Sequence, residues 1–122
     1  MLLYKDESYN LIGAAMEVHR VLGVGFTEYV YQDAFEVECK SRGIPYVREK
    51  HLTVSYKGSL LRHDYFVDFL CYDSIIVECK AVENLHPVHE AQVINYLKVT
   101  NLSLGLLINF GEQSLRHKRL IR

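Results

Sequence analysis

The chain has 122 residues, 49% of them hydrophobic and 24% charged, enough to bury one core and too few for two domains. Fourteen Lys and Arg against fifteen Asp and Glu leave a formal charge of −1. That excludes a strongly basic nucleic-acid coat, though not a local basic patch. No apolar run approaches the roughly 18 residues of a membrane span; the longest, Leu102 to Ile108, contains a Ser and a Gly. The N-terminus, MLLYKDESYN, lacks the charged-then-apolar layout of a signal peptide. Cys39, Cys71 and Cys79 form no CxxC pair and read as reduced thiols acting as small buried hydrophobes. His86 and His89 are one pair at metal-ligand spacing without a second, so structural zinc is not expected. These features lead us to expect one cytoplasmic domain spanning 1–122, with no membrane segment.

In chain order, residues from about Glu7 to Leu22 read as an amphipathic helix. Leu11, Ala14, Ala15, Val18, Val21 and Leu22 recur at helical spacing, and Gly23 stops them. A second helix starts at Thr27, an N-cap residue type, and runs to about Arg42 before Gly43. Its expected apolar stripe is Val30, Tyr31, Ala34, Phe35 and Val37, and Glu28 falls in its first turn, where a carboxylate suits the helix dipole. His51 to Tyr56 alternates like a strand, Lys57-Gly58 signals a turn, and a longer strand is expected from about Leu60 to Tyr72. Asp73 sits at the tip of the next hairpin, and Ser74 to Ala81 returns. A third helix should begin around His86-Pro87 and end near Asn101. Ser103 to Phe110 is apolar enough for a buried strand, and Arg116 to Arg119 is a dense basic cluster in the tail.

The central hairpin carries the chemistry. Val67, Phe69, Cys71, Ile75, Val77 and Cys79 are expected on one apolar face, and Phe66, Asp68, Leu70, Ile76, Glu78 and Lys80 on the other. A hairpin centred on Asp73 sets Asp68 opposite Glu78, with Lys80 two residues further along the same side. Like charges that close destabilise a sheet unless a cation lies between them. The strand SIIVECKA is also too apolar for an exposed edge, so its Glu and Lys ask for a reason.

Asp68 followed by Glu78-Cys79-Lys80 on the next strand resembles the PD-(D/E)XK nuclease superfamily signature, a lone acid and then Glu-x-Lys. Gly25-Phe26-Thr27-Glu28-Tyr29-Val30-Tyr31 is similar to the motif that names the GxxExxY family of that superfamily. Pro87 to Gln92 and Leu104 to Gly111 resemble that family as well, in the same order along nearly the whole chain. The departure is Val67 before Asp68, where the signature has proline.

The resemblance implies an α/β fold: a restriction-endonuclease-like core with a central mixed β-sheet flanked by α-helices. It implies a metal-dependent nuclease, a phosphodiesterase acting on DNA or RNA. Asp68 and Glu78 would hold Mg²⁺ or Mn²⁺ with the backbone carbonyl of Cys79, and Glu28 resembles the helix-borne acid that many members add. Lys80 would orient water and offset phosphate charge. Gln92 and Tyr96, spaced i, i+4 on one helix face, resemble a Gln-x-x-x-Tyr motif that supports the active site or nucleic acid. The alternative is a non-catalytic nucleic-acid-binding or protein-interaction module on the same fold. A homodimer is a further expectation, because a core this small leaves sheet edges to be covered.

Overall fold

The computed structural model describes residues 2–122. Helix α1 (Lys5–Leu22) buries Ser8, Leu11, Ala14, Ala15 and Val18, with Asp6 and Glu7 in its first turn. Gly23 closes it at φ 67°, its N–H bonded to the carbonyl of His19 at 2.9 Å. Helix α2 (Glu28–Ser41) follows. Thr27 occupies its N-cap position with extended backbone but makes no side-chain cap. The buried stripe of α2 is Tyr31, Gln32, Phe35 and Cys39; Val37, expected inside, is exposed.

The β-rich block departs from the expected boundaries. Strand β1 is Tyr46–Leu52 rather than His51 to Tyr56, and the Leu60 to Tyr72 stretch divides. β2 (Ser55–Tyr56) and β3 (Ser59–Leu60) form a separate small hairpin. Its turn, Lys57-Gly58, has positive φ at both residues, 49° and 82°, as a two-residue type I′ connection requires. Strand β4 (Tyr65–Cys71) then pairs with β1 from Tyr46↔Cys71 to Leu52↔Tyr65. The charged sequence of β1 concealed it. Arg48 is tolerated there because Asp33 and Glu36 of α2 meet its guanidinium at 2.7 and 3.2 Å.

Strand β5 (Ile75–Lys80) returns antiparallel to β4, and α3 (Pro87–Thr100) crosses over to β6 (Leu104–Asn109), which lies parallel to β5. Such a parallel pair needs a crossover of this length. The basic tail, read as a charge cluster, is strand β7 (Arg116–Ile121), antiparallel to β6. All six residues of β6 are buried, so its outer edge needs a hydrogen-bonding partner. The tail's charges are accommodated by the neighbours: Arg119 donates to Ser8 Oγ and the Leu3 carbonyl, and Lys118 donates to Glu90.

The five-stranded mixed sheet thus has the order β1-β4-β5-β6-β7. One face carries the larger core, in which α1 and α2 pack on Phe69, Cys71, Ile75, Val77 and Cys79. Phe35 meets Phe69 edge-on at 5.1 Å and Tyr31 stacks on Phe110 at 4.8 Å, pairs worth about 0.5–1.5 kcal/mol each beyond their buried area. The other face packs Val67 and Ile76 against Tyr96 and Leu97 of α3. Helix α3 comes so close to β6 that a Cβ on Gly105 would lie 2.4 Å from Val93 Cγ1. No helix among the described residues is long and apolar enough to cross a membrane.

Candidate active site

The β4–β5 hairpin turns through Tyr72 and Asp73, both at positive φ, with the Ser74 N–H bonded to the Cys71 carbonyl at 3.0 Å. Its pairs are Cys71↔Ile75, Leu70↔Ile76 and Phe69↔Val77. One step further in this register Asp68 faces Glu78, and there the backbone ladder opens. The Asp68 N–H donates to Glu78 Oε2 at 2.6 Å, and the Cys79 N–H donates to Asp68 Oδ2 at 2.8 Å. Each carboxylate therefore takes a donor from the opposing strand. The β1–β4 ladder has its irregularity at the same level, where Glu49, between the pairs Arg48↔Phe69 and Lys50↔Val67, adopts φ 53°. Across this point the side chains change faces. Phe69 and Cys71 lie in the α1/α2 core, whereas Val67 packs on the α3 side. The expected apolar face including Val67 is corrected accordingly.

Glu78 is 3% exposed, and Asp68 is partly buried. Burial, followed by the Asp68 charge, pushes the Glu78 carboxyl well above the usual carboxylate range; the Asp68 amide and Lys80 oppose this. Asp68 is also raised, first by burial and then by Glu28, against the Cys79 amide, Lys80 and Arg48. Without a cation between them the pair therefore keeps a proton at neutral pH.

This donor set fits a hard divalent ion, which favours carboxylate oxygens and would relieve the repulsion. As arranged, no group of three or more His, Cys, Asp or Glu side chains among the described residues converges closely enough to hold a metal. Asp68 and Glu78 are brought together. Glu28, at the first position of α2, lines one cleft with Asp68. The Cys79 thiol lies fully buried in the α1/α2 core, and burial, followed by the Asp68 and Glu78 charges, raises its pKa.

Lys80 ends β5, half-buried, and its Nζ reaches Gln92 Oε1 at 3.5 Å, the long end of a hydrogen bond. Gln92 and Tyr96 thus turn toward the centre from α3. The Tyr96 hydroxyl is pushed up to about 12 by burial and by the Glu78 and Asp68 charges, so it stays a protonated donor. At the start of α3, His86 Nδ1 accepts from the Val88 N–H, and His89 Nδ1 accepts from the His86 N–H. These bonds leave each neutral imidazole its proton on Nε2. Burial and Lys80 lower the His89 pKa.

One open cleft contains Asp68, and a second lies on the far side of Gln92 and Tyr96. A cavity of about 300 Å³ is lined by Glu28, Tyr29, Gln32, Glu49, Phe66 and Asp68 among others. A larger one, of about 450 Å³, lies between α3 and Tyr65, with Gln92, Tyr96, Val54 and Val99 in its walls. Sequence reading gave no site role to four contributors. Arg48 lay in a segment not read as strand, yet its charge acts on Asp68. Asn109, fully buried, binds both the N–H and the carbonyl of Val82 and thereby anchors the connection leaving β5. Exposed Tyr29 and Phe66 gave no periodic signal, because solvent-facing aromatics interrupt rather than continue an apolar stripe.

A model of the PD-(D/E)XK nuclease superfamily matches residues 5–121. Among solved structures, the crystal structure of SSO0001 is similar, with a TM-score of 0.61 at 15% identity, covering 76% of this chain and 48% of that one. This chain therefore spans about half the length of SSO0001, and a likeness at that identity speaks to the fold alone. No curated protein matches the chain.

Proposed function

The chain belongs to the PD-(D/E)XK nuclease superfamily, and from that membership we propose that it is a Mg²⁺- or Mn²⁺-dependent nuclease whose centre is Asp68, Glu78 and Lys80. One observation carries the proposal: two carboxylates on adjacent strands, each accepting a backbone N–H from the opposing strand in a mostly buried hairpin. A folded domain tolerates such a pair poorly unless something else binds there. Asp68, Glu78, the Cys79 carbonyl and Glu28 would hold the ion, which would lower the pKa of a bound water and offset charge on the scissile phosphate.

The remaining roles belong to the chain's own groups. The Lys80 ammonium, two residues from Glu78, orients the attacking water and offsets phosphate charge. Gln92 limits where that ammonium can swing. Tyr96 keeps its proton and is a hydrogen-bond donor available to substrate in the wall of the larger cleft. The two backbone bonds hold the carboxylates in place before substrate arrives.

Cleavage of single- and double-stranded DNA and RNA in Mn²⁺, comparing wild type with Glu78→Ala, tests this reading. Metal-dependent cleavage that disappears in the variant supports it and identifies the polymer. No cleavage by either protein, together with no Mn²⁺ binding in calorimetry, would assign the fold to a non-catalytic module.

A further inference from the structure

The surroundings of the acid pair say which form of nucleic acid fits. Tyr65 and Phe66, consecutive on β4, line different clefts: Phe66 the smaller, which holds Asp68, and Tyr65 the larger, whose walls include Gln92, the partner of Lys80, and Tyr96. Phe66 is 57% exposed, Tyr65 47%, and Tyr29, in the smaller cleft with Phe66, 68%. Tyr65 leans on Tyr96 at 5.8 Å and Phe66 on His51 at 5.0 Å between ring centroids, which restrains both rings while a substantial part of each stays open. Aromatic surface is therefore available both in the cleft that holds Asp68 and in the neighbouring one walled by Gln92 and Tyr96.

Charge favours a single strand over a duplex. A protein that grips duplex DNA neutralises a row of phosphates with Lys and Arg. Here the smaller cleft presents Glu28, Glu49 and Asp68, and the chain as a whole carries −1. Arg48, next to Glu49 on β1, is already paired with Asp33 and Glu36. Of the dense basic tail, Lys118 is paired with Glu90, and Arg119 is bonded to the N-terminal segment. The larger cleft adds one cation, Lys98, too few for a row of duplex phosphates, whereas the exposed π-surface binds unpaired bases by stacking irrespective of sequence. Stacked bases in a duplex offer no such faces.

We propose that the substrate is a single-stranded polynucleotide, held by stacking of bases on Tyr29 and Phe66 in the cleft that holds Asp68 and on Tyr65 in the neighbouring cleft. This rests on the nuclease reading for the position of the scissile phosphate, but its test is a binding measurement that needs no cleavage. Labelled oligo-dT, oligo-U and a DNA duplex of equal length are titrated with the protein in EDTA, followed by anisotropy. Single strands should bind at least about tenfold tighter than duplex. Loss of one stacked base on Phe66→Leu or Tyr29→Leu should weaken them by about five- to a hundredfold, leaving the weak duplex signal unchanged. Tyr29→Phe, which keeps the ring, should bind as wild type does. Both positions are exposed, and far-ultraviolet circular dichroism checks that each variant is folded.

The ratio of oligo-dT to oligo-U affinity assigns the polymer, and either order is consistent with stacking. Duplex binding as tight as single-strand binding, leucine variants indistinguishable from wild type, or no binding to any of the three would each overturn the proposal. Ring-dependent single-strand binding without cleavage in Mn²⁺ would instead refute the nuclease reading and leave this one standing.

Discussion

Replacing Glu78 by Gln should make the metal-free protein more stable at alkaline pH, although it removes a residue at the centre of the site. Gln keeps the size and one carbonyl oxygen to accept the Asp68 N–H, and its amide can donate toward the neighbouring carboxylate. What it loses is the buried charge. The Glu78 carboxyl is raised from 4.5 to about 8, while in the unfolded chain it titrates near the ordinary value. Between those two pH values the folded state holds more proton than the unfolded one, so wild-type stability falls as pH rises through the window. At about 1.4 kcal/mol per pH unit the ceiling is roughly 5 kcal/mol; relaxation and water entry reduce it to about 2–4 kcal/mol. Urea denaturation in EDTA at pH 5 and pH 8 measures the difference. Glu78→Gln should exceed wild type by about 2–4 kcal/mol at pH 8 and by less than about 1 kcal/mol at pH 5. An unchanged difference between the two pH values, or a variant less stable at pH 8, would refute the idea of a charged pair held at a cost for function.

Three further outcomes follow from the same structure. Because an ion must displace the proton kept by the Asp68–Glu78 pair, Mn²⁺ affinity in calorimetry should tighten from pH 6 to pH 8, by up to about tenfold per pH unit for one displaced proton; a flat profile would count against the raised carboxyls. Tyr31→Phe should lower stability by about 1–2 kcal/mol without affecting cleavage. Its hydroxyl donates to the Gly23 carbonyl at 2.5 Å and accepts from the Phe26 N–H at 3.3 Å, and it stacks on Phe110 in the core, so a loss of activity at full stability would reverse that assignment. Gly105→Ala should destabilise by about 1–3 kcal/mol, since the added methyl meets Val93 where α3 crosses β6; thermal unfolding equal to wild type would show that α3 can shift.

The acid pair was legible because a hairpin is symmetric about its tip. Once Asp73 is placed there, Asp68 must face Glu78, and the cross-strand bonds bear that facing out. Helices were legible from apolar period and from Gly23 and Pro87 at their ends. Strand β1 was not, because its partners neutralise what the sequence presents as charge: Arg48 is paired only after α2 packs beside it. Nor could period-two reasoning anticipate the change of face at Glu49 and Asp68. That reasoning assumes an unbroken pleat, and here two side chains take over the backbone's hydrogen bonds. Strand β7 was hidden for a related reason: its place depends on the buried edge of β6, a demand that lies in another part of the chain.

The most direct test of the centre joins cleavage and metal binding on one variant, Lys80→Met, which keeps the length of the side chain and removes its charge. With Mn²⁺, the wild type should cleave nucleic acid and lose that activity in EDTA. Lys80→Met should bind Mn²⁺ in calorimetry while cleaving at least about a hundredfold more slowly, the scale on which a positioned charge acts on a transition state. Cleavage by Lys80→Met at the wild-type rate, or a wild type that neither binds Mn²⁺ nor cleaves any of the four polymers, would contradict the account.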